Sequence, residues 1–148
     1  PELVVETTET KPVRWSPRGD WIAYRDNNAL RIVSADGRET RTISSSAWET
    51  YGWSRDGQSI YGLRVDAKHH LILGRIEIAG GKESQVSDLG PVPPAFDYAN
   101  YIAEFPIRGF SLHPDGKSFL TSVAHGRSQI VLMRGFDRST RLFDWFRR

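Results

Sequence analysis

The chain is 148 residues long, with 20 Lys and Arg against 18 Asp and Glu, a formal net charge of +2, and no cysteine. This is one domain's worth of chain, able to bury about 70% of its unfolded surface if it closes properly, and its charge is too small to argue for nucleic acid. The missing cysteines exclude a disulfide framework and a Cys-based metal site while leaving the redox compartment open, and neither a signal-like segment nor an apolar run near the ~20 residues of a membrane helix is present, which argues against membrane insertion.

In chain order, residues 3–7 read first as an isolated strand. Residues 13–15 and 21–24 then form a strand pair around the turn Ser16-Pro17-Arg18-Gly19-Asp20. A third strand at 30–34, a turn at 35–38 and a fourth strand at 40–43 complete one unit. The next unit repeats each step, with strands at 51–53, 60–65, 71–78 and 84–87. A third unit offers strands at 109–112, 118–123 and 129–134, with 141–145 as its outer strand. The three copies read VRWSPRGDWIAY, YGWSRDGQSIYG and FSLHPDGKSFLT, and the turn glycines Gly19 and Gly57 lie 38 residues apart. Gly116 follows after that period plus an insertion of about twenty residues, in a scheme where a four-stranded propeller blade takes about 40–45.

The turn chemistry agrees with this reading. Asp-Gly and Gly-Gly pairs supply the positive φ of tight hairpins, and Pro17 and Pro114 stiffen the approach to a turn. Runs such as Trp21-Ile22-Ala23-Tyr24 are almost continuously apolar, as strands covered on both faces are. Alternation alone would also suit a sandwich. The recurring aromatic position (Trp15, Trp53, with Leu112 in its place) and the four-strand period favour an all-β propeller of three four-stranded antiparallel blades. The blades span about 8–43, 48–87 and 109–148, with an insertion at 88–108.

WSPRGDWIAY and WSRDGQSIYG, each followed by a strand and a DG or GG turn, resemble the WSPDG repeats of TolB-type β-propellers. Those are related in turn to the propellers of prolyl-oligopeptidase-like enzymes. The likeness covers residues 12–134; Arg55 replaces the usual proline in the second copy and Leu112 the tryptophan in the third. It implies structural roles for Trp15, Trp53, Gly19, Asp56, Gly57, Asp115 and Gly116, a bacterial source, and a periplasmic location.

Closed propellers use four to eight blades, so three leave open edges and apolar faces. Either further blades precede Pro1, as the absence of an initiating Met suggests, or copies of the chain associate with themselves. A truncated half pairing with a second half would satisfy both.

The loops between second and third strands and the blade-to-blade connections share one face. It collects residues 25–28, 44–48, 66–70, 125–127 and the insertion. Variation concentrated on one face of a repeat scaffold marks a binding face, which nominates Trp48, His69, His70, His125 and Arg127 for a protein partner. In the insertion, Tyr98, Tyr101, Ile102 and Phe105 follow helical spacing, with Asp97 as cap and Pro106 as stop. Tyr98, Tyr101 and Phe105 then form an aromatic patch, of the kind enriched at interfaces; packing on the scaffold is the alternative. His69 and His70 are adjacent and diverge on a strand, so a metal would need Asp66 and a second loop. No metal or cofactor is expected, and no EF-hand spacing appears. The six arginines from Arg127 to Arg148 read as a solvated face.

There is no GxSxG elbow, HExxH, Cys nucleophile or phosphate loop. The reading is therefore a non-catalytic β-propeller module acting through protein–protein interaction. The alternatives are the substrate-gating propeller of a prolyl-oligopeptidase-like peptidase, or the sensor propeller of a regulatory or kinase protein.

Overall fold

Short apolar segments separated by glycine turns satisfy their N–H and C=O groups most directly by pairing as antiparallel hairpins. The computed structural model describes residues 4–7, 12–92, 107–125 and 127–134, and among these every regular element is a strand. The first sheet runs in the order β1 (Arg14–Trp15), β2 (Trp21–Asp26), β3 (Ala29–Ser34), β4 (Thr40–Ser44). The second repeats it with β5 (Trp48–Trp53), β6 (Ser59–Val65), β7 (His70–Glu77) and β8 (Glu83–Pro91). The third holds β9 (Ile107–Leu112), β10 (Ser118–His125) and β11 (Arg127–Arg134). All pairs are antiparallel, and β5 lies between β1 and β9, so the inner strands stand side by side.

Register confirms the repeat. Trp15 pairs with Ile22, Trp53 with Ile60 and Leu112 with Phe119. The expected outer strand at 141–145 and the expected helix at 97–106 lie outside the described residues.

The turn motif holds itself together. In the second copy the Gly57 amide donates to Ser54 O at 3.0 Å, and Asp56 Oδ1 accepts from Ser54 Oγ at 2.6 Å and the Gln58 amide at 3.0 Å. Gly57 has a φ of 70°, open to glycine at no steric cost. In the third copy His113 replaces the serine, its amide paired with Ser118 O and its ring 2.9 Å from Asp115.

The core lies between the sheets. Ala23, Leu30, Ile32 and Ile43 of the first sheet meet Trp48, Tyr51, Ile60 and Ile76 of the second, with Trp53 packed alongside. On the second sheet's other face, Leu63, Leu71, Leu73 and Leu89 meet Val92, Phe110 and Phe119, whose two phenyl rings stack at 5.1 Å. Each fully buried Leu or Ile contributes roughly 1.5–3 kcal/mol, so the middle sheet, covered on both faces, is the best supported. Polar bonds also cross the first joint. Trp53 Nε1 donates to Arg14 O at 3.0 Å, Tyr51 Oη to Pro12 O at 2.5 Å, and Arg25 Nη1 to Trp48 O at 2.9 Å.

The repeat departs from expectation at one tryptophan. Trp15 and Trp53 share a register position, yet Trp15 is 59% exposed whereas Trp53 is partly buried. Trp53 has the first sheet to lean on. Residues 4–7 cross the far side of that first sheet, where Val4 and Val5 pack on Ile22, Tyr24 and Val33, and Thr7 Oγ1 donates to Arg25 O at 2.9 Å.

Candidate partner-binding face

The hairpin between β6 and β7 is the best-defined part of the loop face. Asp66 Oδ1 accepts from the Lys68 amide at 2.9 Å and the His70 amide at 2.8 Å, closing the turn from within. His69 takes a left-handed φ of 57° to pass it, and its carbonyl accepts the Val92 amide at 2.8 Å, which ties the hairpin to the end of β8. The His70 amide chiefly, with that of Lys68, holds the Asp66 carboxyl below the usual aspartate range, against some desolvation and the nearby Asp88 charge. Beside it His70 Nδ1 donates to Asp88 Oδ2 at 2.7 Å, and Asp88 Oδ1 accepts the Gly90 amide at 2.8 Å. The backbone is thus fixed while Lys68 and His69 stay exposed and the His70 ring keeps one edge in solvent.

His69 and His70 therefore belong to one fixed loop. His69 sits in the turn, not on a strand, and His70 opens β7. His125 and Arg127 face each other across the β10–β11 hairpin, at the corresponding end of the next sheet. Among the described residues no three His, Asp, Glu or Cys side chains are grouped to hold a metal ion. Tyr98, Tyr101 and Phe105 lie outside the described residues.

Trp48 must be reassigned. It is 1% exposed, its ring lies over Gly62 and Gly74, and its Nε1 donates to Ser44 Oγ at 2.7 Å. That hydroxyl donates to Glu83, which also accepts Ser46 Oγ at 3.1 Å. Trp48 is a core residue joining two sheets, with no surface to offer a partner. Its place in a connection between blades suggested exposure; the facing pair of glycines that admits its ring becomes visible only once β6 and β7 are in register.

At the opposite end, the three inner turns surround a cleft of about 430 Å³ lined by Pro17, Trp53, Arg55, Leu112, His113 and Pro114. These residues were read as scaffold. Their shared offset from the turn glycines was the signal that they gather at one place. The Asp-Gly carboxylates at that end are low-titrating: Ser54 Oγ first, then the Gln58 amide, lowers Asp56, and the Lys117 amide first, then His113, lowers Asp115.

No protein-family model and no curated protein matches the chain. Solved structures do. An oligogalacturonate lyase in complex with manganese superposes with a TM-score of 0.57 at 19% identity, over 90% of this chain and 38% of that one. The β-propeller domain of Cps50 (Swd1) from Myceliophteria thermophila gives 0.51 at 16% identity, over 87% and 40%. TolB from Acinetobacter baumannii gives 0.48 at 19%, over 82% and 27%. The chain spans less than half the length of each of these structures. At these identities the likeness concerns fold: the chain is an all-β run of propeller blades, and among the described residues the ring is not closed.

Proposed function

We propose that the chain is a non-catalytic propeller module that binds a protein partner through its loop face. The observation that carries this reading is the β6–β7 hairpin, whose backbone is pinned by Asp66 and Val92 while Lys68, His69 and His70 project from it. A surface ordered before binding loses less entropy on association, and polar groups on a rigid loop confer specificity. His125 and Arg127 of the neighbouring hairpin extend the surface, and Tyr98, Tyr101 and Phe105 of the insertion supply its aromatic contacts.

A photo-crosslinking residue placed at Lys68, and separately at Arg55 beside the cleft, tests the reading in cells that make the protein. The expected result is one adduct of defined mass from position 68, lost when His70→Ala is added and kept with Arg55→Ala. Adducts from position 55 alone would move the site to the cleft. The cleft favours the second reading, a substrate-gating propeller of a peptidase, because it lies among the innermost hairpins where a propeller's channel opens.

A further inference from the structure

We propose that the cleft at the inner turns binds a carboxylate carried on an apolar group, as presented by a peptide C-terminus ending in an aromatic residue or by a free aryl-alkyl acid. The cleft lies at the opposite end from the β6–β7 hairpin, and the inference holds whatever that hairpin binds. The repeat supplies its own baseline. Counting back from Gly19, Gly57 and Gly116, the residue two before is Pro17, Arg55 and Pro114, and the residue three before is Ser16, Ser54 and His113. The turn closes in the same way in all three copies, its glycine amide donating to the carbonyl three residues back at 3.0, 3.0 and 2.9 Å. Neither an arginine nor a histidine is needed to make this turn. Yet the two departures, Arg55 and His113, line one cleft of about 430 Å³, within the ~300–1,000 Å³ of small-ligand sites.

The other lining residues are apolar and ordered in advance. Trp53 is partly buried and donates its Nε1 to Arg14 O at 3.0 Å, so its ring is fixed before a ligand arrives. Leu112, half-buried, and the rigid rings of Pro17 and Pro114 complete the apolar wall. Of the lining residues Arg55 is the one permanent cation. It is exposed, and among the described residues no hydrogen bond or carboxylate holds its guanidinium; the arginine that acts on Asp56 is Arg18. His113 Nδ1 is occupied by Asp115 Oδ1 at 2.9 Å, which leaves Nε2 to a ligand. A guanidinium beside an apolar wall suits a carboxylate, which it grips through two parallel N–H bonds. A phosphate fits worse. The amides of Gly57, Gln58, Gly116 and Lys117 already donate within their own turns and offer no anion nest. The Asp56 and Asp115 carboxylates, ionised at neutral pH, repel a dianion more than a monoanion.

Titration of the isotope-labelled chain with N-acetyl-glycyl-phenylalanine, its C-terminal amide and phenylpropionate, followed by NMR amide shifts, tests the site. The peptide acid should shift the amides around Gly57 and Gly116 with a millimolar or tighter dissociation constant. The peptide amide should bind at least about tenfold more weakly, as losing a hydrogen bond between charged groups requires. Arg55→Pro restores the residue of the other two copies, so the turn is kept, and Arg55→Gln leaves the backbone unaltered. Both should lose binding by about the same factor while the urea midpoint holds, and His113→Ser should weaken binding severalfold. Phenylpropionate binding as tightly as the peptide acid would support the site as one for free acids. A peptide acid bound at least about tenfold more tightly than phenylpropionate would support it as one for chain ends. Equal binding of peptide acid and amide, unchanged binding in both Arg55 variants, or no shift around the cleft at about 10 mM ligand would each overturn the proposal.

Discussion

The Trp48 ring rests on two residues that have no side chain. A Cβ at Gly74 would stand 2.5 Å from Trp48 Cη2, and one at Gly62 would stand 2.5 Å from Thr50 O and 2.9 Å from Trp48 Cε3. Neither neighbour can yield, since Thr50 O is backbone and the ring is buried and held through its Nε1 by Ser44. Gly74→Ala and Gly62→Ala should each destabilise the fold by roughly 1–3 kcal/mol, the range for overpacked cores. Trp48→Ala should cost about 3–5 kcal/mol through the cavity it leaves. The two effects should not add, because without the ring an alanine at 74 has room; chemical denaturation of the double variant Trp48→Ala, Gly74→Ala measures this. A full additive loss would place the ring elsewhere.

At the scale of the element, the turns set the acid response. Asp36, Asp56, Asp66 and Asp115 all titrate below the ordinary aspartate value, each because its carboxylate accepts hydrogen bonds within its own turn. A carboxyl whose pKa is lower folded than unfolded binds fewer protons in the native state, so stability rises with pH through that window. The contribution is complete above about pH 4, the unfolded range, and is lost as pH falls through the depressed folded values. Urea midpoints should therefore fall below pH 4, and Asp56→Asn should flatten that fall while changing little at pH 7. The Asp36 and Asp56 turns were also the most legible elements in the chain, because Ser-x-Asp-Gly and the residue after it encode their own bonds. Strand pairing followed from the glycine positions. The burial of Trp48 was not legible, since it depends on Gly62 and Gly74 facing each other across strands, a relation between residues twelve apart. Nor was the His70–Asp88 pair, which joins β7 to β8 across an irregular register.

For the whole molecule, Trp15 and Trp53 form a natural controlled comparison: one register position, two environments. In repeat scaffolds, stability is a sum of each repeat's own term and the terms at its joints. Trp53 belongs to a joint inside the chain, packing against the first sheet and donating to Arg14 O at 3.0 Å. Trp53→Ala should cost up to the ~3–5 kcal/mol of a buried tryptophan at any protein concentration. It should also speed amide exchange in β6 and β7, whose central residues are otherwise sealed on both faces. Trp15→Ala removes a side chain that is 59% exposed in the single chain. In dilute solution it should cost no more than about 0.5 kcal/mol, the usual range for surface substitutions. If another chain seats a blade on that face, the cost must grow with concentration, because a joint between chains is governed by mass action. Thermal or urea unfolding of both variants across a hundredfold dilution series separates the cases. A Trp15→Ala penalty that approaches that of Trp53→Ala when concentrated, and fades on dilution, identifies the open face as an unfilled blade joint. A penalty that stays small throughout leaves Trp15 a solvent-facing side chain.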